Sequence, residues 1–463
     1  MFIGRERELN TLEKLYTSDK FEFVVIYGRR RVGKTALIKE FISGKDAIYF
    51  MGLESNVQQN LANLSKSIYV YEQNSISDLV FANFQNALEQ VFLLAQTKRI
   101  VLVIDEYPYV ARSDKSLAST LQMLIDKYKD ASKLMLILCG SSMSYMEDEV
   151  LAYKAPLYGR RTGQIKLLPF SFREFCACFP NYKNEDKALA YGILGGTPQY
   201  ILQFDDKLSI EENLKRTLLN PDSMLYEEPL NLLKQEVREP VLYNAIITAI
   251  ANGASRMTDI SARVGEGTSI CTAYLKNLID LGLVRKENPY GDASNRKAIY
   301  ALEDNTFRFW YRFIPQHSSL IAMGGADIVY KRIEPYFNEY MGKVFEEICK
   351  QYLWQQLLSG NLSLTFGSMG NWWGNNPRTR KQEEIDIMAV EDKHTALFAE
   401  CKWTNEAVDI DVLEKLQERS KIFSFDNTYL YVFAKKSFTS RCKSLAQVNE
   451  HFKLITFEQM VKE

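Results

Sequence analysis

The run Gly28-Arg29-Arg30-Arg31-Val32-Gly33-Lys34-Thr35 sets two glycines, a lysine and a threonine at the spacing of a phosphate-wrapping loop. Glycines let successive backbone N–H groups curl around phosphate oxygens, and the N-terminus of a following helix adds its positive dipole end. In that setting Lys34 is expected to bridge the β- and γ-phosphates of ATP, and Thr35 to ligate Mg²⁺. A second chemical element is Asp105-Glu106, two carboxylates at the end of the apolar run Ile100–Ile104. Asp105 is expected to hold Mg²⁺ through water, and Glu106 to orient and deprotonate the attacking water. A solvated strand end is the competing reading of the two acids. Ser141, in Cys139-Gly-Ser-Ser142, is placed to read the γ-phosphate, or simply to turn from strand to loop. Arg160, with Arg161 as second choice, sits in a glycine-flanked loop. There it is expected to neutralise transition-state charge in cis or from a neighbouring subunit, against the plainer reading of a surface arginine pair.

A separate constellation lies near the C-terminal end. Glu400 and Lys402 are two apart on a strand pattern, so they share a face. If the preceding strand turns back about Lys393, Asp386 falls opposite Glu400, within one residue of register. Two carboxylates and a lysine then converge at one end of a sheet. Oxygen ligands of this kind suit a hard cation, Mg²⁺ or Mn²⁺, with Lys402 positioning water or stabilising charge on a phosphate. An upstream amphipathic helix, Pro335–Leu357, carries Glu346 and Glu347. Glu346 is preferred as a further ligand. A surface salt-bridge ladder is the alternative, and Arg378-Thr-Arg380-Lys381 nearby reads as a phosphate contact or a solvated loop.

These groups need elements to hold them. Phe21–Tyr27, Ala47–Met51, Ile100–Ile104 and Lys133–Cys139 are short and almost wholly apolar, as strands buried on both faces of a parallel sheet are. The phosphate loop follows the first of them and precedes an amphipathic helix, Ala36–Ile42. From Phe170 to Leu233 the pattern turns helical, giving a lid. Pro240–Ala251, Thr258–Val264 (with Thr258 as N-cap) and Thr268–Leu281 read as three helices. Gly282–Glu287 and Lys297–Ala301 then pair as a hairpin. That is a winged-helix pattern, with the third helix as reader of a major groove. Its cations are Lys276 on the third helix and Arg285, Lys286, Arg296 and Lys297 on the hairpin. Seven Lys/Arg against five Asp/Glu over residues 240–301 give a net +2, mild for a DNA reader. Winged helices also dock proteins, so both partners stay open.

Taken together, the fold class is α/β. A P-loop NTPase sheet with a helical lid spans residues 1–235, a winged helix 236–305 and a C-terminal α/β domain 306–463.

The N-terminal elements resemble the archaeal-type ATPase family, an AAA-related branch close to the signal-transducing ATPases with numerous domains (STAND). The resemblance covers about the first 235 residues. It rests on Phe2-Ile-Gly-Arg-Glu-Arg-Glu-Leu9, the phosphate loop, Ile104–Val110, Cys139–Ser142, Leu157–Gly163 and Gly195-Gly-Thr-Pro-Gln-Tyr200. It implies that Gly4-Arg5-Glu6 lies near the adenine and that Gly195–Tyr200 belongs to the lid. Over about residues 330–440, the acid followed by acid-x-lysine on the next strand is similar to the restriction-endonuclease-like superfamily. It is also similar to the domain of unknown function that commonly follows this type of ATPase.

The 463 residues imply several domains, and a net charge of −1 gives no global field toward nucleic acid. Seven scattered cysteines and three histidines argue against structural zinc and for reduced thiols. A charged start without a signal-peptide core, and no apolar run near the ~20 residues of a membrane span, set the expectation of a cytoplasmic protein without membrane partners. The functional expectation is an ATP-driven switch acting on DNA, with ATP and Mg²⁺ as cofactors. A homo-oligomer or a protein partner is also open. The alternative is a signalling ATPase whose C-terminal domains bind without catalysing.

Overall fold

The computed structural model describes residues 2–73 and 79–462, which divide into two compact units. Residues 1–170 with Thr197–Gln199 make the first, and Ser171–Gly196 with Tyr200–Glu463 the second.

The first unit is built on five strands: β1 (Glu22–Tyr27), β2 (Ala47–Met51), β3 (Ile100–Asp105), β4 (Leu134–Gly140) and β5 (Gly163–Lys166). They lie in the order β2-β3-β4-β1-β5, and every pairing is parallel. The central strands β1, β3 and β4 are buried at every position, which is why their sequences are unbroken apolar runs rather than alternating ones. Two apolar cores flank the sheet. One gathers Phe23, Phe50, Phe92 and Tyr107, the other Val24, Leu37, Phe41 and Ile137. Edge strand β5 is short and only one of its four residues is buried, so hydropathy did not announce it.

In the second unit, helices Phe172–Cys178, Asn184–Leu194, Ile210–Arg216 and Met224–Glu236 precede helices Pro240–Ala251, Met257–Val264 and Thr268–Asp280. Strands β6 (Val284–Glu287) and β7 (Ile299–Leu302) then pair antiparallel. The helix around Thr258 corrects the expected cap. It starts at Met257 with Arg256 at the N-cap position, and Thr258 lies inside its first turn. Beyond the helix Asn305–Phe313 comes the 22-residue helix Phe337–Leu358. The last sheet holds β8 (Met369–Asn375), β9 (Gln382–Val390), β10 (Thr395–Lys402), β11 (Asn427–Ala434) and β12 (Phe452–Thr456). Its order is β12-β11-β10-β9-β8. The pairs on the β8 side are antiparallel and those on the β12 side parallel. Among the described residues no helix is long and apolar enough to cross a membrane.

Candidate functional site: a phosphate loop and a buried carboxylate cluster

Strand β1 delivers the chain to Gly28, where a Cβ would sit 2.3 Å from the carbonyl oxygen of Leu167 just past β5. Backbone meets backbone there, so no side chain fits. Gly33 (φ 92°) caps the helix Lys34–Ile42 in the left-handed region, with no side chain satisfying the helix N-terminus. Its first N–H groups therefore face the loop, as an anion requires. Lys34 is buried and its ammonium donates to the carbonyls of Gly28 (3.0 Å) and Arg29 (2.8 Å). Burial lowers its pKa, against the opposing pull of Cys139, Glu106 and Asp105. Arg31, like Gly33, has positive φ (71°), while Val32 is buried and Arg30 donates to the hydroxyl of Tyr109 (3.1 Å).

Asp105 ends β3 at 1% exposure. Its Oδ2 accepts from Thr35 Oγ1 (2.8 Å) and from Tyr49 OH (2.7 Å), and its Oδ1 from the backbone N–H of Glu106 (3.0 Å). Glu106 takes a left-handed conformation (φ 51°) and is held from the neighbouring strand end, accepting from Ser141 Oγ (2.9 Å) and N–H (3.3 Å). Lys34, Thr35, Asp105, Glu106 and Ser141 thus meet at the C-terminal ends of β1, β3 and β4. The residues fit a nucleoside triphosphate with Mg²⁺: an uncapped helix start, a buried ammonium and a hydroxyl–carboxylate pair that one hard cation can share. Ser141 differs from its expected role in one respect, for its hydroxyl serves Glu106.

Arg160 departs from expectation. Its guanidinium pairs with Asp126 (2.9 and 2.7 Å) and with the carbonyl of Pro156. Arg161 donates to the carbonyl of Leu151. Neither bonds Lys34, Asp105 or Glu106, so neither completes this site within its own chain in the arrangement seen. Arg5, whose segment the family resemblance set near the adenine, donates to Val32 O (3.0 Å) and Leu168 O (2.7 Å) and stacks over Phe170. It pins the N-terminal segment to the phosphate loop, a role no local pattern signalled. Pro198, from the segment assigned to the lid, lies 3.7 Å from where a Gly33 Cβ would be.

The second cluster is in the last sheet. The β9–β10 register pairs Ile387 with Ala399, and one further step sets Asp386 across from Glu400. Asp386, Glu400 and Glu346 are all buried. Asp386 Oδ2 accepts from the Cys401 N–H (2.8 Å). Burial, and then the charges of Glu400 and Glu346, push its carboxyl up to about 7. Glu400 is bound by Lys402 (2.6 Å) and by Arg419 (3.1 Å), a partner sequence reading missed because it arrives from the helix Ile410–Ser420. Glu346 is held by Lys343 (3.0 Å) and by the amide of Asn371 (3.1 Å), and burial raises its pKa too. Glu347 points elsewhere, to Arg285 and Lys350. Among the described residues no group of three His, Cys, Asp or Glu side chains is gathered closely enough to hold a metal ion. Asp386 and Glu400 thus lie across from each other, and the charge of Glu346 acts on Asp386. A hard cation between the two acids would relieve the burial and repulsion that keep Asp386 protonated.

This cluster makes stability depend on pH. The Asp386 carboxyl is raised from 3.8 to about 7, so between those values the native chain keeps a proton that the unfolded chain releases. Its contribution is therefore present at low pH and lost as pH rises through about 7. Asp386→Asn, neutral throughout, should match the parent near pH 4 and exceed it by about 1–3 kcal/mol at pH 8. Urea unfolding at the two pH values measures this, and parallel pH slopes for parent and variant would contradict it.

Arg285 also departs from expectation. Rather than facing a phosphate backbone, its guanidinium is surrounded by Glu287, Glu303 (3.1 Å) and Glu347 (2.7 Å). Lys276, Lys286, Arg296 and Lys297 remain exposed.

Residues 2–204 match the family described as an ATPase domain predominantly from Archaea, and residues 310–420 one described as archaea bacterial proteins of unknown function. An uncharacterized protein of Methanocaldococcus jannaschii is 33% identical over 443 residues, 94% of this chain and 96% of that one. This chain belongs to the same family, and it is a P-loop ATPase of the archaeal type. A second M. jannaschii protein, an uncharacterized ATP-binding protein, is 49% identical over 45 residues, 10% of this chain and 76% of that one. Among solved structures, the Walker-type ATPase of Pyrococcus abyssi aligns with a TM-score of 0.52 at 20% identity, over 67% of this chain and 96% of that one. That likeness is one of fold. The ATPase thus has a nucleotide-binding domain whose family and architecture agree with its phosphate loop.

Proposed function

We propose that the ATPase is an ATP-hydrolysing switch that acts on DNA, with its C-terminal sheet as a Mg²⁺-dependent, nuclease-like site. In this reading residues 1–235 form the ATPase with its lid, 236–305 a winged helix and 306–463 the nuclease-like domain. Lys34 and the loop N–H groups, with Arg29, Arg30 and Arg31 around them, bind the triphosphate. Thr35 and Asp105 hold the cation, and Glu106, aimed by Ser141, takes the proton of the attacking water. Arg160 acts only after leaving Asp126, across a contact with a second copy. Asp386 and Glu400 would hold Mg²⁺ in the last sheet, where the ion would supply charge neutralisation at a phosphodiester. Lys402 orients water or a phosphate oxygen there.

One observation carries the DNA half of this reading. Asp386 is buried across from Glu400, and its carboxyl is raised by that burial and then by the charges of Glu400 and Glu346, with Lys402 two residues beyond Glu400 on the same strand. A purely structural salt-bridge ladder would set a cation on Asp386, whereas Lys402 and Arg419 both bond Glu400. The name of the shorter M. jannaschii relative agrees with ATP as the nucleotide.

A second reading has its own support. Arg285 is enclosed by carboxylates, and the loop joining β6 to β7 bonds to β8, with Tyr290 N–H on Asn371 O (2.8 Å) and Trp373 Nε1 on Lys297 O (3.1 Å). A hairpin so engaged suits a protein-docking or purely internal role. Duplex binding against salt separates the two. Contacts from Lys276, Lys286, Arg296 and Lys297 predict a log–log slope near −3 to −4, at about −0.9 per phosphate. Binding that stays undetectable even at low salt would favour the second reading.

A further inference from the structure

The β8–β9 pairing shifts register between Gly370 and Trp372, where two residues of β9, Asp386 and Ile387, face the single residue Asn371 of β8. Bulges of this kind re-aim a side chain at the cost of a pairing. Opposite this bulge, the carbonyl and both side-chain polar atoms of Asn371 are bonded outside the β8–β9 ladder. Its carbonyl accepts from the N–H of Tyr290 at the hairpin tip (2.8 Å). Its Oδ1 accepts from Lys350 (2.6 Å), and its Nδ2 donates to Glu346 (3.1 Å). Lys350 in turn binds Glu347 (3.1 Å), which binds Arg285 on β6 (2.7 Å). Burial opposes the charge of Glu347, and Arg285 and Lys350 overcome it, so its carboxyl is held below the ordinary range. The hairpin tip is fastened a second time, where Tyr290 OH accepts from Val390 N–H (3.2 Å) at the end of β9.

We propose that Arg285, Lys350 and Asn371 are positioning residues, a polar relay through which the docked β6–β7 hairpin sets Glu346 beside the cation-holding pair Asp386 and Glu400. The inference rests on reading that pair as a divalent-cation site and adds how the site is regulated. With the hairpin seated, Asn371 has both its carbonyl and its amide fixed, and Glu346 is held between Asn371 and Lys343. When the hairpin leaves β8, Asn371 loses its backbone partner and Glu347 loses Arg285. Glu346 is then no longer held in place, and the site's affinity for the cation falls. Metal sites respond in this way when the groups that orient their ligands are removed, typically by 10–100-fold.

The test is Mn²⁺ titration of the nucleotide-free full chain by calorimetry, with Asp386→Asn as the blank. Asn371→Ala and Arg285→Gln are expected to weaken Mn²⁺ binding by about 10–100-fold. Arg285→Lys, which keeps a cation for Glu347, should stay within a few-fold of the parent. Tyr290→Ala, which leaves every link of the relay chemically intact and only unseats the hairpin, should weaken binding in the same direction. Thermal unfolding of each variant guards against misfolding. Variants that lose stability while binding Mn²⁺ as the parent does would overturn the relay and leave the cation site standing. A parent that binds no Mn²⁺, or binds it as well with Asp386→Asn, would overturn the cation site and the relay with it.

Discussion

Replacing Glu106 with Gln is expected to leave ATP binding within a few-fold of the parent and to lower hydrolysis by roughly 10²–10⁴-fold, the usual worth of a positioned general base. The geometry makes the substitution clean. Ser141 donates both its hydroxyl and its N–H to the same oxygen of Glu106 (2.9 and 3.3 Å), and a glutamine can keep that oxygen in place. Asp105, Thr35 and Lys34 are untouched, so phosphate and cation contacts persist. Lys34→Ala should behave differently. It removes the ammonium that lies over the loop carbonyls of Gly28 and Arg29, so binding and hydrolysis fall together. Phosphate release set beside binding of a non-hydrolysable analogue separates the two effects. Unchanged turnover in Glu106→Gln would remove it from the chemistry.

The second large effect is expected at Asp386. Asp386→Ala should reduce Mg²⁺-dependent nicking of plasmid DNA by about 10²–10⁴-fold, since one of two ligands and several kcal/mol of charge stabilisation go with it. The same substitution removes a carboxyl that burial and two neighbouring acids push up to about 7, which relieves charge repulsion in the core at neutral pH. Loss of activity would then come without a loss of folding from that charge, a separation seldom available for a buried residue. Lys402→Ala is a weaker case, because Arg419 still neutralises Glu400 from the other side. Nicking that persists in Asp386→Ala would place the cleavage elsewhere or outside the protein.

Local chemistry was legible in the sequence, and long-range pairing was not. The phosphate loop was readable because strand, loop and helix are contiguous, and Gly28 and Gly33 each answer a backbone requirement that nothing else meets. The Asp386–Glu400 pairing was readable because a short turn between two strands fixes the register by counting. Three features were hidden. Edge strand β5 has too little burial to leave a hydropathy trace. Arg160 and Arg285 read as cations awaiting phosphate, yet their partners Asp126, Glu303 and Glu347 lie 34, 18 and 62 residues away. The bulge in β9 opposite Asn371 leaves no mark in the apolar run around Asp386, and only the pairing of β8 with β9 shows it. Thr258 shows a different failure. A good capping residue lay one residue inside the true helix start, where nothing local outweighed the packing of Ile260 in the core.

In the proposed function one chain joins two sites, a nucleotide switch and a cation-dependent site acting on DNA. Its most direct test is plasmid incubated with Mg²⁺, with and without ATP, beside the parent and the Asp386→Ala and Lys34→Ala variants. Nicking by the parent is expected to change with ATP, to be lost in Asp386→Ala, and to persist in Lys34→Ala without responding to ATP. A parent that hydrolyses ATP and leaves the plasmid intact under every condition would contradict it.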